Sequence, residues 1–179
     1  MKDTKSNTAG NIIAEIIPLN GYFPNNSYYP VLIYKQIIAI NKGTVNDIQH
    51  FLKQNGWHNT WVNSIYDYHH YHSNTHEALV VYEGDCKVQL GGPNGKVHSI
   101  SQGDVIIFPV GVAHKNIESS KNFKCIGAYP FDIDYDMHYG KKEEHPAVDH
   151  NIKSTPLPKT DPIFGEQGLL FNYWKNKYD

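Results

Sequence analysis

The sequence predicts an all-β sandwich or barrel carrying one helix, on three observations. From Trp61 onward, short apolar or β-branched runs are separated at roughly ten-residue spacing by turn signals, the pattern of a two-sheet or barrel fold. Those signals are Gly84-Asp85, Gly91-Gly92-Pro93-Asn94-Gly95, Gly103-Asp104 and Pro109-Val110-Gly111. Helical periodicity is confined to one stretch, residues 44–55. A length of 179 residues suits a single domain with a substantial core and terminal decoration.

In chain order, residues 1–24 read as an N-terminal extension, with 1–10 polar and expected to fray. Apolar runs over 11–34 are broken by Pro18, Gly21, Pro24 and Pro30, which suits short extended segments. The barrel is expected over 25–130 and includes the helix. Thr44 can cap that helix with Asp47 three residues on, Val45, Ile48, Phe51 and Leu52 form its apolar stripe, and Gly56 can end it. Strands are predicted over 65–72, 77–82, 86–90, 96–100, 105–108, 114–117 and 123–129. Residues 131–179 read as an irregular tail, because Pro146, Pro156, Pro158 and Pro162 forbid a long regular element. Phe171-Asn172-Tyr173-Trp174 is its aromatic anchor, for the barrel or for a neighbouring subunit.

The formal net charge of −2 gives no basic field for a polyanion, so nucleic acid is not an expected partner. All 16 cationic side chains are lysine, so no guanidinium fork is available in cis to clamp a carboxylate or phosphate. Two cysteines, Cys86 and Cys125, do not make a disulfide framework and are read as reduced thiols. The apolar stretch 12–19 contains Glu15 and Pro18 and is too short to span a bilayer. It is no convincing signal peptide either, and a cytoplasmic protein without membrane contact is expected.

The chemistry concentrates in the run His69-His70-Tyr71-His72-Ser73-Asn74-Thr75-His76-Glu77. On a strand, alternate residues share a face, which would set Tyr66, Tyr68, His70 and His72 together and Asp67, His69 and Tyr71 opposite. Glu77 falls five residues past His72, the wrong parity for an unbroken strand, and the polar Ser73-Asn74-Thr75 can form the corner that returns it to the same point. His114 can bring a third imidazole there. Imidazoles with a carboxylate suit one divalent ion of manganese, iron, zinc, nickel or copper. His76, adjacent to Glu77, is the rival ligand if the corner distorts the pairing. Tyr66 and Tyr68 are candidates to hydrogen-bond a substrate or bound water, against the ordinary alternative of core tyrosines with satisfied hydroxyls.

The spacing His70-x-His72, four residues, Glu77, six residues, Gly84 resembles the first signature of the cupin superfamily. Gly103, five residues, Pro109-x-Gly111, two residues, His114 resembles the second. The chain is similar, over roughly 25–170, to small single-domain bacterial cupins of uncharacterised function, which share the His-His-x-His run, the Gly-Gly-Pro-Asn-Gly turn and the late Thr-Asp-Pro. The resemblance implies a double-stranded β-helix, or jelly-roll barrel, and metal ligands at His70, His72, Glu77 and His114. It also implies a homodimer. Two positions depart from the signatures, with Glu118 where asparagine is expected and Ser64 where glycine is usual.

A metal-dependent enzyme on a small polar molecule is therefore expected, with oxygenase, decarboxylase and isomerase chemistry all open. The alternative is a cupin that binds a metal or small ligand without catalysis. Lacking arginine, the chain is better suited to substrates that chelate the metal directly. Asp132, Asp134, Asp136 and Glu143 mimic calcium-loop positions, but Met137 replaces the turn glycine, so a solvated or pocket-edge loop is the better reading.

Overall fold

A computed structural model describes residues 12–39 and 44–175, so the polar residues 1–10 lie outside it. Nine strands make two facing sheets: β1 (Ile12–Ile17), β2 (Asn26–Tyr34), β3 (Trp57–Asn63), β4 (Glu77–Glu83), β5 (Asp85–Leu90), β6 (Val97–Ser101), β7 (Val105–Phe108), β8 (His114–Ser119) and β9 (Lys124–Pro130). The larger sheet runs β1-β2-β7-β4-β9-β3 and the smaller β6-β5-β8, with every pairing antiparallel. This is the all-β jelly roll expected. Among the described residues no helix is long and apolar enough to cross a membrane.

Strand alternation assigns each side chain of the large sheet to one of two cores. Val31, Ile33, Leu79, Val81, Ile106, Phe108 and Cys125 turn toward the small sheet and meet Cys86, Val88 and Leu90 of β5. Their neighbours Leu32, Tyr34, Ala78, Val80, Val105, Ile107, Ile126 and Ala128 turn the other way, onto a second core. Burial on both faces is why β7 reads Val-Ile-Ile-Phe without a polar residue. The small sheet keeps its outer face in water, and β5 alternates accordingly.

The second core is roofed by helix α1 (Val45–Gln54) and by the C-terminal segment. Thr44 and Asp47 form the reciprocal cap that their spacing predicts, with Asp47 accepting from the Thr44 N–H at 2.8 Å and Thr44 accepting from the Asp47 N–H at 3.3 Å. Ile48 and Leu52 are fully buried from its stripe, each contributing about 1.5–3 kcal/mol by transfer from water. The C-terminal segment carries two short helices, α2 (Ala147–Ser154) and α3 (Leu170–Tyr173), between irregular stretches. Trp174 is buried in the second core and its indole donates to the Pro30 carbonyl at 2.8 Å, so the aromatic anchor seats on its own large sheet.

Two element boundaries differ from the sequence reading. No strand forms over 65–72, which is a loop with two isolated bridges, His70 with His114 of β8 and Tyr71 with His138. The reason is a two-residue excess. Antiparallel pairing of His70 with His114 would set Tyr68 opposite Asn116, yet the Asn116 N–H bonds to the Tyr66 carbonyl instead. The second difference is β3, which hydrogen-bonds along β9 and occupies sequence with no alternation, its sole fully buried member being Trp57.

Asp161, in the Thr-Asp-Pro near the end, ties the C-terminal segment to the large sheet. Its buried carboxylate accepts from the Tyr34 hydroxyl at 2.8 Å and from the N–H groups of Ile163, Phe164 and Leu170 at 2.8, 3.0 and 3.0 Å. Gly168 packs on it so closely that an added Cβ would lie 1.9 Å from the Asp161 Cβ. Asp161→Ala strands these donors in an apolar surround and is expected to cost about 3 kcal/mol or more, at 1–3 kcal/mol for each unsatisfied group. Urea denaturation reads this directly, and a midpoint within error of the unsubstituted protein would refute the anchoring role.

Candidate metal centre

The loop before β4 and the first residue of β8 are stitched together by backbone. The His70 N–H donates to the His114 carbonyl at 3.3 Å and the His114 N–H returns to His70 at 3.0 Å, which sets their rings 4.2 Å apart. Two residues on, the His72 carbonyl accepts from the Gly111 N–H at 2.8 Å. Gly111 has φ +87°, and a Cβ there would lie 2.7 Å from the Asn25 carbonyl oxygen, so the turn leading to His114 requires glycine. The chain then bends at Ser73 and Asn74, held by Asp136, which accepts from the Ser73 N–H at 2.6 Å. Glu77 opens β4 on the same face as Leu79 and Val81, and so points between the sheets.

His70, His72 and His114 are buried, and each offers a ring nitrogen within 4.8 Å of the others. Every one of the three is oriented through Nδ1, toward the carbonyl of Tyr68 for His70 (3.2 Å), of Asp136 for His72 and of Val112 for His114 (3.2 Å). A carbonyl can only accept, so each Nδ1 carries a hydrogen, and in the neutral ring Nε2 is then left with its lone pair for a metal. The Nε2 atoms of His72 and His114 lie 3.4 and 3.3 Å from Glu77 Oε2. Burial pushes His70 down, helped by the neighbouring His114, to a pKa of about 3, so that ring is neutral. For Glu77, burial alone would raise the pKa, but His72 and His114 pull it well below the usual carboxylate range. His72 is pulled the opposite way, its burial outweighed by Glu77 so that the net shift is upward.

The other oxygen of Glu77 is already engaged. Oε1 accepts from the Tyr129 hydroxyl at 3.0 Å, and that hydroxyl accepts from the Trp61 indole at 2.8 Å. Oε2 is fully buried without a hydrogen-bond partner. A desolvated anionic oxygen confronting imidazole lone pairs is a repulsive arrangement unless a cation lies between them. The donor set therefore fits a divalent metal.

These side chains form one end of a cavity of about 140 Å³. Its walls include Trp61, Ile65, Tyr66, Leu79, Tyr129, Tyr135 and Met137. Tyr66 lies at the rim, 46% exposed. Tyr68 is not in the wall. It is 41% exposed and stacked on the outer side of Tyr66 with ring centroids 4.9 Å apart. The inward direction expected for Tyr68 rested on an unbroken strand, and no strand forms over 65–72.

His76 does not join the converging nitrogens. Its Nδ1 accepts from the Val110 N–H at 3.0 Å and its Nε2 donates to the Pro156 carbonyl at 3.1 Å, so both ring nitrogens are committed to backbone. His69 packs edge-on against Phe23, outside the cavity wall. His138 bonds to Asp136 at 3.0 Å, and the mock calcium loop thereby becomes the strap that orients Ser73 and His72.

Trp61, Tyr129, Tyr135 and Met137 were not singled out from sequence. A signal existed for Tyr129, since alternation along β9 places it with Cys125 and Gly127 on the inner face. Gly127 is the counterpart of Trp61: a Cβ there would lie 2.2–2.5 Å from the indole, so the glycine lets the ring lie flat on β9. Tyr135 and Met137 sit in the aperiodic segment after β9 and carried no readable pattern.

Fold and site together define a cupin, and the chain belongs to that family: the model described as "Cupin domain" matches residues 61–126. Over 157 residues it is 37% identical to the uncharacterized protein YjlB of Bacillus subtilis (strain 168), covering 88% of this chain and 93% of that protein. Among solved structures it is similar to a DUF861 family protein from Thermotoga maritima, at 22% identity and TM-score 0.34, over 54% of this chain and 96% of the other. It is also similar to a cadmium-containing acireductone dioxygenase from Bacillus anthracis, at 14% identity and TM-score 0.41, over 61% of this chain and 83% of the other.

Because His76 is buried and committed to backbone at both nitrogens, His76→Ala is expected to cost about 1–3 kcal/mol while leaving metal content unchanged. The deficit should shrink on acidification. Burial lowers the native pKa of His76 from 6.5 to about 4, so below 6.5 the unfolded chain takes up a proton that the native chain refuses, and the unsubstituted protein loses stability that the variant cannot lose. Denaturation at pH 7.5 and 5, with elemental analysis alongside, measures both, and metal loss from the folded variant would restore His76 as a ligand.

Proposed function

We infer that the chain holds one divalent metal ion through His70, His72, Glu77 and His114, and that it is a metal-dependent enzyme acting on a small molecule bound in the adjoining cavity. The observation that carries this is Glu77 Oε2, a buried carboxylate oxygen without a hydrogen-bond partner, set 3.3–3.4 Å from the Nε2 atoms of His72 and His114. When bound to such a set, a divalent cation has coordination positions left for water or substrate and polarises the oxygen it takes up.

The protein side of that chemistry is orientation. Three backbone carbonyls fix the imidazole tautomers, and the chain Trp61 to Tyr129 to Glu77 occupies one carboxylate oxygen so that the other alone is presented. Leu79, Ile65 and the aromatic walls keep the cavity apolar beside the polar end, which strengthens every charge interaction there. Asp136 and Ser73 hold the His72 segment to the strap after β9, so the C-terminal segment contributes to the site as well as to the fold.

Elemental analysis of protein purified without added metal is expected to give one divalent ion per chain, reduced to a small fraction in His72→Ala and Glu77→Gln. Unchanged content in both variants would overturn the ligand set. Tyr129→Phe keeps the ring and deletes the hydrogen bond to Glu77 Oε1, and is expected to weaken metal affinity about tenfold, the lower end of the loss typical for a partner that orients a ligand. Competition against a chromogenic chelator reads it, and an unchanged constant would show that the Tyr129 hydroxyl does not orient the carboxylate.

A further inference from the structure

The cavity next to the metal site has a composition that selects among ligands. Among the described residues, the sole formally charged side chain that lines it is Glu77, and no lysine reaches it. Two of its neutral polar members make local bonds: Asn63 accepts from the Ser64 N–H at 2.8 Å and the Ser64 hydroxyl donates to the Ile65 carbonyl at 3.2 Å. A second carboxylate or a phosphate would meet no cation beyond the metal, and burying one unpaired is costly.

The remaining surface is aromatic and fixed in place. Trp61 is pinned by its bond to Tyr129 and by contact with Gly127, Tyr129 and Tyr135 stack at 4.6 Å with planes 26° apart, and Tyr66 stands edge-on to His70 at 5.2 Å. Flat rings already oriented lose little entropy on taking a flat partner. Size then limits the partner. The cavity volume of about 140 Å³ compares with the roughly 150 Å³ apolar cavity that accepts one benzene molecule. One six-membered ring fits.

We propose that the site takes a single planar ring bearing two adjacent oxygen donors, of the catechol or hydroxypyranone type, bound with its oxygens toward the metal and its ring between Trp61, Tyr66 and Tyr129. This rests on the metal reading above and adds to it the chemical class of the ligand. Adjacent oxygens satisfy the open coordination positions without requiring a second cation, and the carbon face of the ring replaces water on the aromatic wall.

The test is calorimetry on the zinc-loaded full chain under nitrogen with catechol, the ringless chelator acetohydroxamate and the dicarboxylate malonate, each affinity divided by the probe's affinity for free zinc. Catechol is expected to exceed both others by about tenfold, the factor that corresponds to ~1.4 kcal/mol of aromatic contact. Tyr66→Ala, a substitution at the exposed rim, is expected to remove most of that advantage and leave acetohydroxamate unchanged, while Tyr66→Phe retains it. Malonate matching catechol, or Tyr66→Ala weakening catechol and acetohydroxamate equally, would overturn the assignment. Zinc stoichiometry is measured before any probe is added: a chain that retains no zinc overturns the metal reading and this one with it, whereas full zinc with no preference for the ring overturns the ring alone.

Discussion

The central strands β7, β4 and β9 of the six-stranded sheet are covered on both faces, and most of the molecule follows from that constraint. A strand with two buried faces leaves no side chain free to be polar unless its polar atoms are satisfied, so a charged group in the buried part of β4 or β9 must find partners inside the protein. Leu79 and Val81 turn to one core while Ala78 and Val80 turn to the other. Glu77, on the Leu79 face, is the exception that the sheet tolerates because Tyr129 from the neighbouring strand meets one of its oxygens. The second oxygen is left facing His72 and His114. The outer face needs a roof too, which α1 and the segment beyond residue 140 supply, with Asp161 as the fastener.

Strand positions were legible in the sequence because the turns that bound them are chemically marked. Gly84, Gly91-Gly92, Gly103 and Gly111 all adopt positive φ where they were read as turns, and β4 through β9 fall between or beside them. The helix was legible from its cap. What could not be read was the path of residues 64–72, because alternation of Tyr66, Tyr68, His70 and His72 fits a strand perfectly well and the interruption is made by a partner: the Tyr66 carbonyl bonds to Asn116, a residue two positions out of register. Periodicity reports what a segment can do, and tertiary pairing decides whether it does it.

The same distinction runs through the site. Histidines and a carboxylate announce themselves by type, whereas the groups that aim them are mostly backbone. The carbonyls of Tyr68, Asp136 and Val112 set the tautomers of His70, His72 and His114, and a carbonyl has no letter in the sequence. His76 shows the converse. By type it ranks with the other three, and it was their natural rival, yet the Val110 amide and the Pro156 carbonyl consume both of its nitrogens. Ligand character lies in what remains unspent at each ring after the fold has taken its share.

That accounting also bears on why the chain manages without arginine. A guanidinium beside a metal would serve to hold an anionic substrate, and the sequence contains none. Among the described residues the cavity carries no lysine in its place; it carries Trp61, Tyr66, Tyr129 and Tyr135. An aromatic wall and an anionic substrate are poor companions, since the negative face of each ring adds to the desolvation cost of the charge. The same wall suits a neutral ring whose polar atoms are gathered on one edge. Composition at the level of the whole chain and composition at the level of the cavity thus agree with the ligand proposed above, one that would meet the protein with its carbon faces and keep its oxygens at the histidine end.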